Sequence, residues 1–252
     1  RDVAPSRGLG DVYKRQDIPV LPLCSGKKSN RMNKAVSYIL DLFFPNRCPV
    51  CRSFTEYNEL VCEKCMKKLE KYTFESIDAL PITGAFYDRK LAGYYYENEV
   101  KNGIYSLKDG HKEFGYYLGN IISEKIICDE TISKADCIIP VPMSAKSFRL
   151  RGYNQAAVIA ETISTITGIK MMTDILYKHE SKVQHSLNMT QRMENVSAYS
   201  IKNTDLSGRK IIICDDVCTT GSTINRCAEL LKNMGAAEVY AAVGTTTKLK
   251  KE

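Results

Sequence analysis

An α/β chain, with a parallel sheet flanked by helices and a small cysteine-rich module in front of it, is predicted by three features of the sequence. From Ala135 onward, apolar strand-like runs alternate with amphipathic runs of helical length, the pattern that builds a parallel sheet covered on both faces. Nearer the other end, CPVC and CEKC place Cys48, Cys51, Cys62 and Cys65 in two Cys-x-x-Cys pairs. The third feature is IIICDDVCTTGST, residues 211–223, where an apolar strand runs into two adjacent carboxylates and then into hydroxylated residues around one glycine.

Residues 1–31 are set aside. SRGLGDVYKRQ (Ser6–Gln16) back-translates to a string that resembles a transposon-end sequencing adapter, so 1–31 reads as adapter and upstream sequence, with Met32 as the expected start. Those residues carry +4 of the formal +7 charge; the rest holds 29 Lys/Arg against 26 Asp/Glu. A strong electrostatic case for nucleic-acid binding is therefore absent, and any such affinity must come from a local patch. Residues 32–75 are expected to form a helix plus the cysteine module, and 76–250 the α/β domain. The longest apolar run, Ala35–Phe44, contains Asp41 and is far shorter than the roughly 20 residues of a membrane span. It reads as a helix from about Lys34 to Phe44. The remaining cysteines are scattered, which suits a reducing, cytoplasmic setting better than a disulfide framework.

Two Cys-x-x-Cys knuckles put four thiolates in reach of one tetrahedral ion. One pair alone would suit redox chemistry equally. Two pairs favour a closed, structural Zn²⁺ site with no position open for catalysis. Beyond it, ITGAFYD and LAGYYYEN read as a hairpin, with Tyr94–Tyr96 in core packing. EVKNGIYSLKDG and KEFGYYLGNIISEKII read as two helices broken near Gly110. DCIIPVP is a strand, NQAAVIAETISTIT a helix closed by Gly168, MMTDIL a second strand and RKIIICDD a central one. STINRCAELLKNM is a helix before Gly235, and AEVYAAVGT a last strand. Residues 178–197 are polar and aperiodic, as lids often are.

Ligands of open parallel sheets bind at the carboxyl ends of the strands. There Asp215 and Asp216 mark the sheet edge, Val217–Gly221 forms a tight loop, and Ser222 or Thr223 starts a helix. Backbone N–H groups and the helix dipole of such a loop hold a phosphate. Gly221 permits close approach, and Thr219, Thr220, Ser222 and Thr223 add donors. The two acids would repel that phosphate unless they faced neutral hydroxyls, as on a ribose. A second stretch, IIPVPMSAKSFRLRGYNQ, sets Lys146, Arg149 and Arg151 after a strand and Gly152 before a helix that Asn154 can cap. Alone, this is equally a solvated basic loop.

The stretch DDVCTTGST resembles the phosphoribosyl pyrophosphate signature of type I phosphoribosyltransferases. With PVP…RLRGYNQA and QHSLNMTQRMENV in this order, behind two Cys-x-x-Cys knuckles, the chain resembles the ComF family of competence proteins from about Met32 to Thr247. YYYENEVKNGIYSLKDG matches the family's less specific middle segment, with Lys108 at its lysine position. Tyr153 stands where Phe is commoner, and Lys178 and Ser181 where Arg and Thr are usual. The resemblance implies a type I phosphoribosyltransferase fold behind a zinc ribbon with four cysteine ligands. It implies phosphoribosyl pyrophosphate bound with Mg²⁺, Asp215 and Asp216 on the ribose, and diphosphate held by the Lys146–Gly152 loop. Gln184 and Arg192, with Asn195, are candidates for a closing loop; the other reading is that His185, Gln184 and Arg192 only tie that loop to the sheet. The family's association with DNA uptake implies single-stranded DNA and a competence helicase as partners. Whether the chain is an enzyme, and with which acceptor, is left open by the motif.

Overall fold

The computed structural model describes residues 46–56, 59–74, 84–179 and 198–248. The expected helix at 34–44 and the leader lie outside them. Strands β1 (Asn46–Arg47) and β2 (Phe54–Thr55) pair antiparallel, and helix α1 (Glu63–Leu69) comes after them. Next are β3 (Arg89–Tyr95), α2 (Asn98–Lys108), α3 (Glu113–Cys128), β4 (Cys137–Pro140), α4 (Ala145–Arg151), α5 (Gln155–Thr167) and β5 (Lys170–Met171). The chain closes with β6 (Leu176–Lys178), β7 (Tyr199–Ile201), β8 (Lys210–Cys218), α6 (Ser222–Asn233) and β9 (Glu238–Thr246).

Five strands form a fully parallel sheet in the order β3-β9-β8-β4-β5. Alternate residues of β8 serve its two faces. Ile212 and Cys214 pack with α2, α3 and α5, whereas Ile211 and Ile213 pack with Ile224, Ala228 and Leu231 of α6. Burial on both faces explains why the strand is apolar throughout. Val50, Leu60, Val61 and Leu69 of the cysteine module join the first of these cores, alongside Leu91, Val100 and Ile104. The module is thus fastened to the sheet by apolar contact. Close packing of α3 on α5 needs Gly119, where a Cβ would lie 2.5 Å from Thr162 Cβ.

Helices α2, α3, α5 and α6 appear where periodicity placed them. Asn154 Oδ1 accepts from Ala156 N (3.1 Å), and Gly168 closes α5 at φ 77°. Four readings are corrected. The hairpin does not form: among the described residues, 84–88 enter no strand, and β3 pairs parallel with β9, Arg89 opposite Tyr240. Residues of β3 are buried almost without interruption, which suits a covered strand rather than a half-wet hairpin arm. The strand read at MMTDIL splits, because only Lys170–Met171 joins the sheet and Leu176–Lys178 pairs antiparallel with β7. The basic loop after β4 is a short helix, α4, capped by Ser144 and ended by Gly152 at φ 78°. The central strand also continues past the acids to Cys218, so the loop is only Thr219–Gly221.

Candidate functional site

Two neighbouring strand ends meet at the site. β4 lies beside β8, with Pro140 opposite Cys214, and Val141 N donates to Cys214 O (2.8 Å). Because the two strands run parallel and side by side, the segment leaving β4 starts next to the carboxyl end of β8. The Lys146, Arg149, Arg151 and Gly152 segment therefore stands at the same sheet edge as Asp215 and Asp216. Asn154 Nδ2 fastens this segment to the strand end by donating to Val141 O (2.9 Å). Arg151 donates to Gln155 Oε1 at 3.1 Å, so that guanidinium is engaged by the first residue of α5.

Asp215 and Asp216 lie within β8, Asp215 opposite Val243. Both are only partly open to solvent. Asp216 N donates to Asp215 Oδ1 (2.9 Å). Burial, and then the charge of Asp216, push the Asp215 carboxyl well above the usual carboxylate range; the Lys108 ammonium opposes the push. Asp216 Oδ2 is buried without a hydrogen-bond partner, and Lys108 Nζ stands 3.7 Å from it. A buried carboxylate oxygen with no donor is unusual in a native protein and fits a hydroxyl or an ion supplied from outside.

The loop after β8 ends at a helix start without a side-chain cap. Gly221 takes φ 78°, a left-handed turn that glycine enters without strain, and starts α6 with no side-chain cap. Ser222 N is shared weakly with Thr220 Oγ1 at 3.4 Å. The first-turn N–H groups and the positive end of a 12-residue helix thus face one small volume. The end of β9 holds the loop in shape: Thr247 N donates to Cys218 O (3.2 Å) and Thr247 Oγ1 to Thr219 O (2.9 Å). A pocket of about 150 Å³ lies against it, between Thr220, Gly221 and Ser222 on one side and Gly84, Ala85 and Tyr87 on the other. Phe86 N donates to Asn225 Oδ1 (2.6 Å), fastening that outer wall. A larger cavity, about 780 Å³, opens between the cysteine module and α2, against Lys68, Asn98 and Asn102. It meets neither the acids nor the loop after β8. Thr223 is in the first turn of α6; Gln184, Arg192 and Asn195 lie outside the described residues.

The four cysteines form a separate centre. Their Sγ atoms all lie within 4.8 Å of one another, and Cys51 and Cys62 are 3.8 Å apart. A tetrahedron with Zn–S bonds of about 2.3 Å has edges of about 3.8 Å, so the donor set fits zinc. The β1–β2 turn presents the first pair, with Arg52 at φ 65° and its N–H on Cys48 O (2.8 Å). The second pair sits at the start of α1, where Cys65 N and Met66 N donate to Cys62 O. Among the described residues, no helix is long and apolar enough to cross a membrane.

Sequence reasoning did not find the 84–87 wall, the Thr247 latch or the approach of Lys108 to Asp216. The GTTT run after an apolar strand was a local hint of the latch. The other two join segments more than a hundred residues apart and leave no local signal.

The raised carboxyl of Asp215 has a consequence for stability. A folded value above the unfolded one means that ionisation disfavours the fold. The penalty is absent below the ordinary aspartate range and grows as pH rises through the folded value. Asp215→Asn is therefore expected to raise the melting temperature at pH 7 and to lose that advantage near pH 3. For a chain this long, about 1 kcal/mol corresponds to roughly 2–4 °C. Thermal unfolding of both proteins across pH checks it; a lower melting temperature for the variant at pH 7 would contradict it.

Comparison with known proteins finds two domain families along the chain. Residues 153–250 match the phosphoribosyl transferase domain family, and residues 39–76 the double zinc ribbon domain family. The chain is 33% identical over 101 residues to competence protein ComFC of Streptococcus pneumoniae, covering 40% of this chain and 44% of that protein. It thus spans less than half the length of that relative. It is 31% identical over 198 residues to the DNA utilization protein YhgH of Escherichia coli O157:H7, covering 76% of this chain and 80% of that one. Among solved structures, a purine phosphoribosyltransferase from Pyrococcus horikoshii aligns with a TM-score of 0.34 at 20% identity, over 50% of this chain and 68% of that one.

Proposed function

The chain belongs to the ComF and YhgH family, which joins a zinc ribbon to a type I phosphoribosyltransferase fold, and from that premise we propose that it binds phosphoribosyl pyrophosphate with Mg²⁺ at the carboxyl edge of its sheet. The observation that carries the reading is one connection, β8 to α6. It holds two carboxylates, one with an orphaned buried oxygen, and then an uncapped helix start. Ribose hydroxyls are the neutral donors that would satisfy the acids. The 5′-phosphate suits the N–H groups of Thr219–Thr223. The diphosphate suits the cations of α4.

The arrangement supports transfer chemistry by positioning. The acid pair fixes the ribose and faces the positive charge that develops at the anomeric carbon when diphosphate leaves. Lys146, Arg149 and Arg151 stabilise the departing charge. Mg²⁺, when bound with the ligand, supplies further neutralisation of the diphosphate. No side chain has to act as a nucleophile. The zinc centre is structural. The names of the relatives support a role in DNA uptake and use, and on this reading single-stranded DNA and a competence helicase are the partners.

The test is diphosphate release from phosphoribosyl pyrophosphate with Mg²⁺, across a panel of amines and nucleobases. Release that depends on one acceptor, and that Asp215→Ala/Asp216→Ala abolishes, is expected of a transferase. Binding without release for any acceptor would make the site a sensor of the same ligand. No binding at all would contradict the reading.

A further inference from the structure

Helix α2 lies outside the stretch that matches the transferase domain, yet its last residue reaches the acid pair. Lys108 Nζ stands 3.7 Å from Asp216 Oδ2, with the lysine side chain 31% and the aspartate side chain 16% exposed. That is an ion pair but not a hydrogen bond, which is why Oδ2 keeps no donor. Among the described residues, the ammonium makes no other ion pair and no hydrogen bond. It offsets charge while its three N–H donors stay uncommitted.

The position of Lys108 is fixed from both sides. Ile104 and Leu107 are fully buried, so the helix cannot turn freely. Tyr153 Oη donates to the Leu107 carbonyl. Tyr153 directly succeeds Gly152, which ends α4 and its Arg149 and Arg151. The residue before Lys108 is thus bonded to the residue behind the basic helix, while Lys108 itself points its charge at the acids. Lys108 thus reaches the acids from a helix whose end is bonded to the residue that succeeds α4 and Gly152. Lysine is suited to such a place, because a flexible stem carries a compact charge with rotatable donors.

We propose that Lys108 is a diphosphate-binding residue that rests on Asp216 in the free protein and turns to the diphosphate once a ribose diol takes up the carboxylates. The proposal rests on the sugar-diphosphate reading of the site. Lys108 then shares the work of the divalent cation, since both offset the repulsion between two carboxylates and a diphosphate. Its contribution should be largest when no Mg²⁺ is present.

Calorimetry with phosphoribosyl pyrophosphate and with inorganic pyrophosphate, each with and without added Mg²⁺, tests this on the full chain. Omitting Mg²⁺, rather than adding a chelator, leaves the zinc centre alone. Lys108→Met should weaken phosphoribosyl pyrophosphate about tenfold or more with Mg²⁺, and by a larger factor without it; inorganic pyrophosphate, which brings no ribose to free the lysine from Asp216, should lose less. Lys108→Arg should restore most of the loss. Lys108→Gln, which keeps length and a donor but no charge, should resemble Lys108→Met and serves if that variant fails to fold. Unchanged binding by the uncharged variants would overturn the role of Lys108. So would a loss that is equal with and without Mg²⁺ and tracks their melting temperatures, because that is the signature of a structural residue. Failure of the unaltered protein to bind either ligand would overturn the site reading itself, and with it the proposal.

Discussion

Cys62→Ser is expected to abolish zinc binding and to unfold the segment around residues 46–72, while the β8–β9 core stays folded. The four thiolates lie within 4.8 Å of one another, and structural zinc in finger-sized units contributes about 10–16 kcal/mol at neutral pH. That is comparable with the roughly 5–15 kcal/mol that holds a typical domain together. Among the described residues, little else holds the module's own backbone: two strands of two residues each, one helix of seven and a three-residue 3-10 turn. The substitution is a fair probe of the metal. Cys62 occupies the N-cap of α1 and makes no side-chain cap bond there. Serine is a preferred N-cap residue, so the change should favour the helix start if zinc were irrelevant. Because Val50, Leu60, Val61 and Leu69 pack with Leu91, Val100 and Ile104, some loss of global stability should accompany the local unfolding. Hydrogen exchange should show the segment exchanging freely and Ile211–Cys214 remaining protected. Metal analysis of the unaltered protein should give one zinc per chain. Protein purified freshly without chelator and found free of zinc would contradict the assignment.

The two centres were legible in the sequence because each is written in adjacent residues. Paired Cys-x-x-Cys spacing specifies two knuckles whatever surrounds them. A continuous apolar strand, two acids and a glycine-centred hydroxyl loop specify a strand end, a charge and a helix start. The features that were not legible depend on distant partners. β3 looks like a hairpin arm until β9, about 150 residues later, pairs with it at Leu91–Ala242. Val217 and Cys218 look like loop because Thr-Thr-Gly comes directly after them, but Thr245 and Thr246 extend the ladder to them. The α4 error was avoidable. Ser144 at the N-cap and Gly152 at the C-terminal turn are ordinary helix signals, hidden behind Pro140 and Pro142. The Lys108–Asp216 pair joins residues 108 positions apart, and only the fold brings them together.

Loss of both acids is expected to weaken phosphoribosyl pyrophosphate binding by at least about a hundredfold. A hydrogen bond to a charged group contributes roughly 1.5–3 kcal/mol, and two such bonds to the ribose are removed at once. Unfolding is not the expected cause. Burial and the neighbouring charge already disfavour ionised Asp215, so replacing the pair should relieve repulsion inside the fold. Inorganic pyrophosphate lacks the ribose and should lose far less. It can even gain a little, because negative charge leaves its surroundings and Lys108 is released from Asp216.

The most direct measurement is calorimetry of phosphoribosyl pyrophosphate and inorganic pyrophosphate, at fixed Mg²⁺, on the unaltered protein and on Asp215→Ala/Asp216→Ala, with melting temperatures taken on the same samples. A folded double variant that binds the sugar diphosphate at least about a hundredfold more weakly, yet keeps pyrophosphate, is the expected result. A folded double variant that binds phosphoribosyl pyrophosphate as tightly as the unaltered protein would contradict the assignment of Asp215 and Asp216 to the ribose.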